Sequence, residues 1–310
     1  MTAQASEWTT ENAAWAHARP MLSVLIPTYR DDPVLLLAQL NREAVRAEVI
    51  VLDDGSGDAD LALRIAEAVE AMRLPARFVR LTANEGRARG RNRLVGHARA
   101  ERLLFLDADM APDSETFLRA WLDLVDERDP AVAFGGFSLD QTPKKAEHAL
   151  HRAMALKSDC LPAAERALAP EKHVFTSNLL VRRDVFDRIA FDEAFAGWGW
   201  EDVEWAMRVT QAYEIVHADI PASHLGLDAA PAMARKYEQS AVNFARVVAA
   251  HREVVETYPS YRAARLLKAV PLRNLWRPIL KVVALAEGLP LGLRDLAMRT
   301  YRAALYAEAV

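Results

Sequence analysis

The amino-acid sequence predicts an α/β fold, with a mainly parallel sheet flanked by helices and a helical extension at the C-terminus. Strand-like apolar runs alternate with helical patterns over the first two thirds of the 310 residues. This alternation, with short connections, is typical of a doubly wound sheet. The apolar runs also end in polar turns, which lie at the ligand-binding edge of such sheets. After residue 230 only helical spacing remains.

Each element follows from its own pattern. Strands are predicted for MLSVLIPTY (21–29), EVIVLDDGS (48–56), ARFVRLT (76–82) and LLFLDAD (103–109), and their β-branched and aliphatic runs stop at polar residues. The intervening helices are PVLLLAQLNREA, ADLALRIAEAVEAM and ARGRNRLVGHARAE. We therefore predict an N-terminal extension (1–20), a sheet domain (21–231) and a helical C-terminal extension (232–310).

Composition narrows the class of protein. A chain with 52% hydrophobic and 26% charged residues can bury a large core. Cys160 is the single cysteine, which excludes a disulfide framework and a cysteine-based zinc site and fits a reducing cytoplasm. The N-terminal twenty residues lack the basic flank and apolar stretch of a signal peptide. We expect a cytoplasmic protein, and nothing in the sequence indicates a nucleic acid partner.

The charge is unevenly distributed. The chain carries −4 overall, but from residue 232 onward 13 Lys and Arg face 6 Asp and Glu, so this part carries +7. No uncharged apolar run approaches the ~20 residues that span a bilayer. The tail instead combines apolar stripes with Arg277, Lys281, Arg294 and Arg299. Two interpretations remain open: peripheral contact with an anionic membrane, at its inner face, or a helical cap packed on the core.

The stretch LLFLDADM (103–110) ends a buried strand with two acids, Asp107 and Asp109. On an extended chain, residues two apart point to the same side, so both acids are expected to face one hard cation such as Mn²⁺ or Mg²⁺. IPTY (26–29) and LDDGS (52–56) end at the same sheet edge, and GWGWEDVEW (197–205) supplies two tryptophans and an acidic pair before a helix.

In this order, the four stretches resemble the family 2 glycosyltransferases, which have the GT-A fold and use a nucleotide-activated sugar with a divalent metal. The resemblance covers about residues 21–228. It includes NEGRARGRN before the LLFLDADM strand and the block that ends in Glu201 and Asp202. One departure is that the family's usual Gly-Gly-Phe-Asp-Glu reads Ile-Ala-Phe-Asp-Glu here, at 189–193.

The resemblance implies roles for the acids and for the first turn. It makes Asp109 the direct metal ligand, with Asp107 at the ribose or a metal-bound water. It places Asp54, with Asp53 beside it, at the base or ribose, and the backbone of Pro27, Thr28 and Tyr29 along the nucleobase. Taken alone, LDDGS is more typical of an Asx-turn followed by a helix cap.

The remaining basic and glycine positions have two interpretations each. Arg87 and Arg91 share a helix face and suit the donor diphosphate, whereas solvent exposure is the alternative for arginines in this segment. Gly136 lacks a Cβ and lets the backbone approach the donor sugar, unless it only forms a tight strand end. His224 matches the position of a third metal ligand in the family, although a lone histidine is more often structural; His217 has less support.

We predict that Asp202 is the catalytic base and that Glu201 orients a sugar hydroxyl, since both acids open a helix beside Trp198 and Trp200. Either tryptophan offers a sugar-stacking face for the acceptor or belongs to the core, and acids in a first helical turn also stabilise the helix dipole. The resemblance implies inverting transfer from a nucleotide-sugar, with UDP preferred and GDP and dTDP open, to a glycan or lipid-linked acceptor. A catalytically inactive sugar-nucleotide-binding module and an Asp-x-Asp phosphotransferase are the alternatives.

Overall fold

The computed structural model describes residues 6–310. Its main sheet has the strand order β1-β4-β3-β2-β5-β9-β7-β10, and a smaller sheet has the order β6-β11-β8. The strands described are β1 (Glu7–Glu11), β2 (Leu22–Thr28), β3 (Ala47–Asp53), β4 (Ala76–Leu81), β5 (Arg102–Leu106), β6 (Met110–Pro112), β7 (Val132–Phe134), β8 (Phe137–Ser138), β9 (Asn178–Arg182), β10 (Ile215–His217) and β11 (Ala222–His224).

Helices cover both faces of the sheet and form the C-terminal part. They are α1 (Val34–Leu40), α2 (Ala59–Glu70), α3 (Arg87–His97), α4 (Phe117–Arg128), α5 (Ala149–Ser158), α6 (Ala163–Arg166), α7 (Arg183–Arg188), α8 (Glu201–Val209), α9 (Ala230–Ala250), α10 (Arg252–Val255), α11 (Pro259–Lys268), α12 (Arg273–Leu285) and α13 (Leu291–Tyr306). Two short 3₁₀ helices lie at Ala146–His148 and Pro170–His173.

The centre of the sheet forms as the sequence predicts. Strand β3 is buried along its whole length, and β2 is buried at all but one position, as expected of strands covered on both faces. Parallel pairing sets Thr28 opposite Asp53, and β5 lies on the other side of β2. The turns after these three strands therefore meet at one edge of the sheet, where ligands bind in open α/β sheets.

Two strands interrupt the parallel order. Strand β9 runs antiparallel between β5 and β7, and β1 adds an antiparallel edge beside β4. Strand β1 falls inside the N-terminal extension, where the sequence gives no strand signal, because all five of its residues are exposed and no apolar alternation marks them. The prediction of a mainly parallel α/β sheet with C-terminal helices is confirmed. The antiparallel strands β1 and β9 were not predicted, because hydrophobic periodicity does not show with which strand another strand pairs.

The smaller sheet joins distant parts of the chain at the functional edge. Strand β11 pairs with β6 in antiparallel register, so that His224 lies opposite Met110. Because Met110 directly follows Asp109, this pairing brings His224 beside the second acid of the Asp-Ala-Asp turn.

The C-terminal helices pack on the sheet domain and on one another. Phe244 of α9 stacks on Tyr306 of α13, with their ring centroids 4.2 Å apart. Within residues 6–310, no helix is long and apolar enough to cross a membrane.

The four basic residues that the sequence proposed for lipid contact have partners within the chain. Arg277 pairs with Glu308, Lys281 with Glu238 and Arg299 with Asp295. Arg294 is buried and donates from Nε to the carbonyl oxygen of Ala284 at 3.1 Å. Contact of these four side chains with lipid therefore stays a prediction, and the helical cap packed on the core remains the other interpretation.

Candidate active site

The Asp-Ala-Asp segment is a turn rather than the end of a strand. Strand β5 stops at Leu106, and the backbone N–H of Met110 donates to the carbonyl oxygen of Asp107 at 3.1 Å. The two carboxylates have different partners: Asp107 accepts from Arg91, and Asp109 accepts from His224. The expectation of an extended backbone at these acids was therefore wrong, whereas binding of one cation by both acids stays a prediction.

Asp109 and His224 form the first part of the site. Nε2 of His224 lies 3.1 Å from Oδ2 of Asp109. Burial opposes ionisation of Asp109, but the hydrogen bond and charge of His224 outweigh it and lower the pKa of the carboxyl. Burial likewise opposes the imidazolium, while Asp109 raises the pKa of His224 above its usual value. The pair is thus held together by charge as well as by geometry.

Gly226 explains how the backbone reaches this pair. A Cβ built on Gly226 would lie 1.9 Å from Oδ2 of Asp109. Any larger residue must displace the carboxylate. The sequence gives no sign of this requirement, because the contact joins residues more than a hundred positions apart.

Two arginines of α3 connect Asp107 to Glu201. Arg91 is buried and lies 3.0 Å from Asp107 and 3.2 Å from Glu201. Arg87 lies 2.8 Å from the same Glu201 oxygen and 3.6 Å from Asp107. The prediction that Arg87 and Arg91 share a face is confirmed by these common partners, and their guanidinium groups point into the site rather than into solvent.

The acidic pair begins helix α8, as the sequence predicts. Glu201 is 3% exposed. Burial opposes its ionisation, but the charges of Arg87 and Arg91 outweigh this and lower its pKa. Its second oxygen, Oε2, is buried without a hydrogen-bond partner among the described residues. Glu201 is therefore an ionised carboxylate with one oxygen still available.

Asp202 differs from its neighbour in ionisation. Burial, followed by the negative charge of Glu201, raises the pKa of Asp202 to about 7. One oxygen, Oδ1, accepts from the backbone N–H of Val203 at 2.9 Å. The pKa values of these two adjacent carboxyls are thus shifted in opposite directions. Such a difference suits one carboxyl to proton transfer and the other to remaining a fixed negative charge.

The two tryptophans before this pair have different surroundings. Trp200 has a φ of +76°, packs on Phe244 and donates its indole N–H to Tyr306 at 3.1 Å. Trp198 lies beside Tyr237, and the ammonium of Lys236 is 5.9 Å from its ring centre. Both tryptophans are half-buried and pack against hydrophobic clusters, and binding of an acceptor by either stays a prediction.

The Asp53-Asp54 turn serves two purposes. Asp54 accepts from the backbone N–H groups of Glu85 and Gly86 and from the Asn84 amide, so it anchors the start of α3. Burial raises the pKa of Asp54 to about 6, although the two backbone hydrogen bonds oppose the shift. Asp53 accepts from the backbone N–H of Ser56, which is the Asx-turn interpretation.

Of the carboxylate oxygens of Asp53 and Asp54, one has no hydrogen-bond partner among residues 6–310. Oδ2 of Asp53 is buried without a hydrogen-bond partner among residues 6–310, and the nearest cation recorded for it is Arg80 at 3.7 Å. Of the two acids, Asp53 is therefore the one with acceptor capacity to spare, whereas both oxygens of Asp54 are already bonded within the chain.

The first turn opens on a cleft. Pro27 and Thr28 end strand β2, and Tyr29 is 42% exposed with the guanidinium of Arg30 4.9 Å from its ring centre. The backbone N–H of Arg30 donates to Ser56 at 2.7 Å. A cleft of about 510 Å³ is lined by Arg30 and by Ser56–Asp60. An exposed aromatic ring beside such a cleft is suited to stacking on a flat ligand.

Gly136 has a packing explanation. Its φ is +98°, and a Cβ built on it would lie 2.4 Å from Nη1 of Arg166. Arg166 is itself buried and donates to the carbonyl oxygens of Leu161 and Ala218. The missing side chain makes room for this guanidinium; contact between Gly136 and a donor sugar stays a prediction.

Several residues near the acids were not identified from the sequence. Partial burial raises the pKa of Asp31, and the charge of Asp109 adds to the effect. Lys236 lies 2.6 Å from Asp228, whose backbone N–H donates to His151 at 2.8 Å. The ring centre of His151 is 5.9 Å from that of His224. Only Asp31 had a signal, because it lies two residues after the Pro-Thr-Tyr turn.

Among residues 6–310, no three His, Cys, Asp or Glu side chains are already grouped as a metal-binding cluster. His217, the less favoured histidine, accepts from Arg166 on the far side of Phe134 and belongs to that packing. At the Asp-Ala-Asp turn, Asp109 and His224 supply an oxygen and a nitrogen donor together.

The sheet edge, the acid–histidine pair and the arginine-linked carboxylates define a glycosyltransferase of the GT-A class. Residues 23–190 match the model of Glycosyl transferase family 2, and the chain belongs to this family. The family match leaves the phosphotransferase alternative without support.

Relatives agree with this assignment. An uncharacterized glycosyltransferase, YfnE of Bacillus subtilis (strain 168), is 39% identical over 92 residues, which are 28% of this chain and 23% of that protein. The chain thus matches less than a quarter of that relative's length.

Solved structures share the fold. The mannosyltransferase PcManGT from Pyrobaculum calidifontis, in complex with GDP-Man and Mn²⁺, has a TM-score of 0.61 at 17% identity, covering 96% of this chain and 89% of that one. S. aureus TarS 1–349 in complex with UDP has a TM-score of 0.51 at 17% identity, covering 93% and 89%. At these identities the likeness concerns the fold.

Proposed function

We propose that this protein is an inverting glycosyltransferase that moves a sugar from a nucleotide-sugar to a hydroxyl of a glycan or lipid-linked acceptor. The observation that carries the proposal is the pairing of opposite carboxyl states at the start of α8. Asp202 has a pKa raised to about 7, next to Glu201, which Arg87 and Arg91 keep ionised. A carboxyl whose pKa lies near neutrality is suited to accept a proton from an acceptor hydroxyl.

The proposed roles of the chain's own residues follow from their contacts. Asp202 takes the hydroxyl proton as the oxygen attacks the anomeric carbon, on the face opposite the leaving diphosphate, which inverts the configuration. Oε2 of Glu201 accepts from a sugar hydroxyl, since this oxygen has no partner in the chain. Arg87, whose side chain is 40% exposed, is placed to pair with a diphosphate oxygen, whereas the buried Arg91 holds Asp107 and Glu201 in position.

The donor set at Asp109 and His224 fits a divalent metal. A carboxylate oxygen and an imidazole nitrogen 3.1 Å apart suit Mn²⁺ better than Mg²⁺, which prefers oxygen ligands throughout. Asp107 is held by two arginines and is proposed to position them, or a ribose, rather than to bind the metal directly. When bound, the metal supplies Lewis-acid neutralisation of the diphosphate.

For the nucleotide, we propose that Tyr29 and the backbone of Pro27 and Thr28 bound the base, and that Asp53 accepts from the base or ribose. UDP-sugars are the first choice and GDP-sugars the second. The fold neighbours in complex with UDP and with GDP-Man support testing both.

The proposal is tested by a thermal-shift panel of UDP-, GDP- and dTDP-sugars, each with and without Mn²⁺, followed by transfer assays with the donor that stabilises the protein. Binding to the native state raises the melting temperature as donor concentration rises. A donor that stabilises only with Mn²⁺ and is then turned over supports the proposal. Binding without turnover for every acceptor tried would favour the inactive sugar-nucleotide-binding module.

Replacing Asp109 by Asn is expected to weaken Mn²⁺-dependent donor binding by at least about tenfold, because the amide supplies a weaker ligand and no charge. Isothermal titration with the donor, in the presence and absence of Mn²⁺, measures this loss. Asp126→Asn, on the exposed side of α4, is the matched control and should bind normally. Undiminished Mn²⁺-dependent binding by Asp109→Asn would remove this acid from the metal site.

Replacing Gly226 by Ala is expected to displace the Asp109 carboxylate, because the added Cβ falls on Oδ2. Positional losses of this kind typically cost about 10–100-fold in metal affinity. Direct Mn²⁺ titration, followed by electron paramagnetic resonance of the free ion, reports this affinity. Gly96→Ala adds the same methyl group where no atom lies within 4 Å and should leave affinity unchanged. Equal affinities in the two variants would contradict the close approach.

A further inference from the structure

The C-terminal helices expose an unusually apolar surface. Of the large hydrophobic side chains exposed within residues 6–310, ten fall between positions 266 and 296. We define the aliphatic surface by these ten residues, which are Leu266, Val270, Leu272, Leu275, Ile279, Val282, Leu289, Leu291, Leu293 and Leu296. Single exposed aliphatic residues are ordinary on protein surfaces. A cluster of exposed aliphatic residues instead marks a surface that binds a membrane or another molecule.

The most exposed members form one stripe along α12. Leu275, Ile279 and Val282 are 66%, 61% and 68% exposed, and their spacing of four and three residues places them on the same side of the helix. The opposite side of α12 packs against the chain through Ala284, which is fully buried. Helix α12 is therefore apolar on two sides, and only one of them is used within the chain.

The residue before α12 has an unfavourable backbone conformation. Leu272 lies at the corner between α11 and α12, where its φ is +58° and its side chain is 71% exposed. The left-handed region is unfavourable for a residue with a branched side chain, and such conformations persist where the surroundings enforce them. The corner before α12 therefore holds this leucine side chain in solvent.

The charge around the aliphatic surface is strongly positive. Residues 259–302 contain nine Arg and Lys and two acids, although four of the nine, which are Arg277, Lys281, Arg294 and Arg299, are paired or buried within the chain. Asp295 is buried and already bound to Lys157 and Arg299. Arg262 and Arg265 are exposed on the same side of α11 as Leu266. The surface therefore combines aliphatic side chains with uncompensated positive charge.

We propose that this surface docks on an anionic lipid bilayer, with the α12 stripe in the acyl boundary and the arginines of α11 at the headgroups. Aliphatic residues flanked by Arg and Lys are typical of helices that lie in a membrane interface. Protein interfaces are instead enriched in aromatic residues and Met, and the aliphatic surface contains neither. The attraction uses residues other than the four basic side chains that pair within the chain, and it does not rest on the chemistry of the active site.

The test is sedimentation of the full chain with vesicles of pure phosphatidylcholine and of phosphatidylcholine with phosphatidylglycerol, at low and high salt. We expect binding to the anionic vesicles and weaker binding in high salt, because exposed charges are screened beyond ~10 Å at 0.1 M. Ile279→Ser should weaken binding at least about tenfold, since burying one aliphatic side chain contributes about that factor. Arg262→Gln with Arg265→Gln should reduce binding to anionic vesicles only.

Leu63→Ser is the matched control, because Leu63 is 59% exposed on α2 and outside the surface; it should sediment like the unchanged protein. Light scattering of the same samples without lipid measures the oligomeric state. It thereby tests the alternative that a second copy of the chain covers this surface. Absence of sedimentation with anionic vesicles at low salt would overturn the proposal. A dimer that Ile279→Ser dissociates, together with no vesicle binding, would assign the surface to a second copy of the chain.

Discussion

Replacing Asp202 by Asn is expected to lower transfer by about 10²–10⁴-fold, because the amide cannot accept the acceptor's proton. The side chain keeps its size, and its oxygen can still accept from the backbone N–H of Val203, as Oδ1 of Asp202 does at 2.9 Å. Donor binding should therefore remain close to normal. Steady-state transfer measured beside donor titration separates the two effects.

Asp187→Asn, on the exposed face of α7, provides the same chemical change away from the site and should keep full activity. Near-normal turnover by Asp202→Asn would return this residue to a role in helix capping.

The raised pKa of Asp202 predicts how both activity and stability depend on pH. With a folded-state pKa raised to about 7, Asp202 becomes an active base only as the pH rises through neutrality, so kcat/KM should increase along an acid limb near that value. Because the unfolded carboxyl ionises at lower pH than the folded one, Asp202 lowers stability progressively from about pH 4 to 7. Asp202→Asn should thus melt higher than the unchanged protein at pH 8, and this difference should vanish toward pH 4.

Replacing Glu201 by Gln is expected to destabilise the fold by up to about 3–5 kcal/mol, since removing one partner from a buried ion-pair network leaves the charge of Arg91 only partly compensated. Arg91 is 2% exposed at its side chain and would keep only Asp107 as a charged partner. Urea unfolding measures the change. Glu193→Gln also removes a carboxylate from an α3 arginine, Arg89, but at the surface, where a pair contributes about 0–1 kcal/mol.

The Glu201→Gln variant also tests the effect of Glu201 on the pKa of Asp202, separately from its effect on stability. The charge of Glu201 helps to raise the pKa of Asp202, so its removal should move the acid limb of the activity profile to lower pH in whatever fraction remains folded. An unchanged limb together with an unchanged unfolding free energy would contradict the proposed coupling of the two acids.

Much of the fold, and the candidate residues that meet at the edge of the sheet, could be predicted from the sequence. Strands such as β2 and β3 are buried on both faces, so they have to be continuous apolar runs, and their parallel pairing brings the turns that follow them to one edge. The acids at 107 and 109 stand out because charged residues directly after a buried run are costly unless they are paired or have a function, whereas those at 201 and 202 stand out through the resemblance to the family's acidic pair. For these elements, local pattern and tertiary position agree.

What the tertiary structure alone decided is which residues contact which. The sequence places Asp109 and His224 more than a hundred positions apart, and only the antiparallel pairing of β6 with β11 joins them. It shows Gly226 and Gly136 as glycines, but not the carboxylate and guanidinium that occupy the space of a Cβ. Helical period showed that the tail is amphipathic without showing that Arg294 is buried and Ile279 is exposed. The physical reason is that period and propensity are local properties, whereas pairing, burial and the compensation of charge depend on residues that folding brings together from distant parts of the chain.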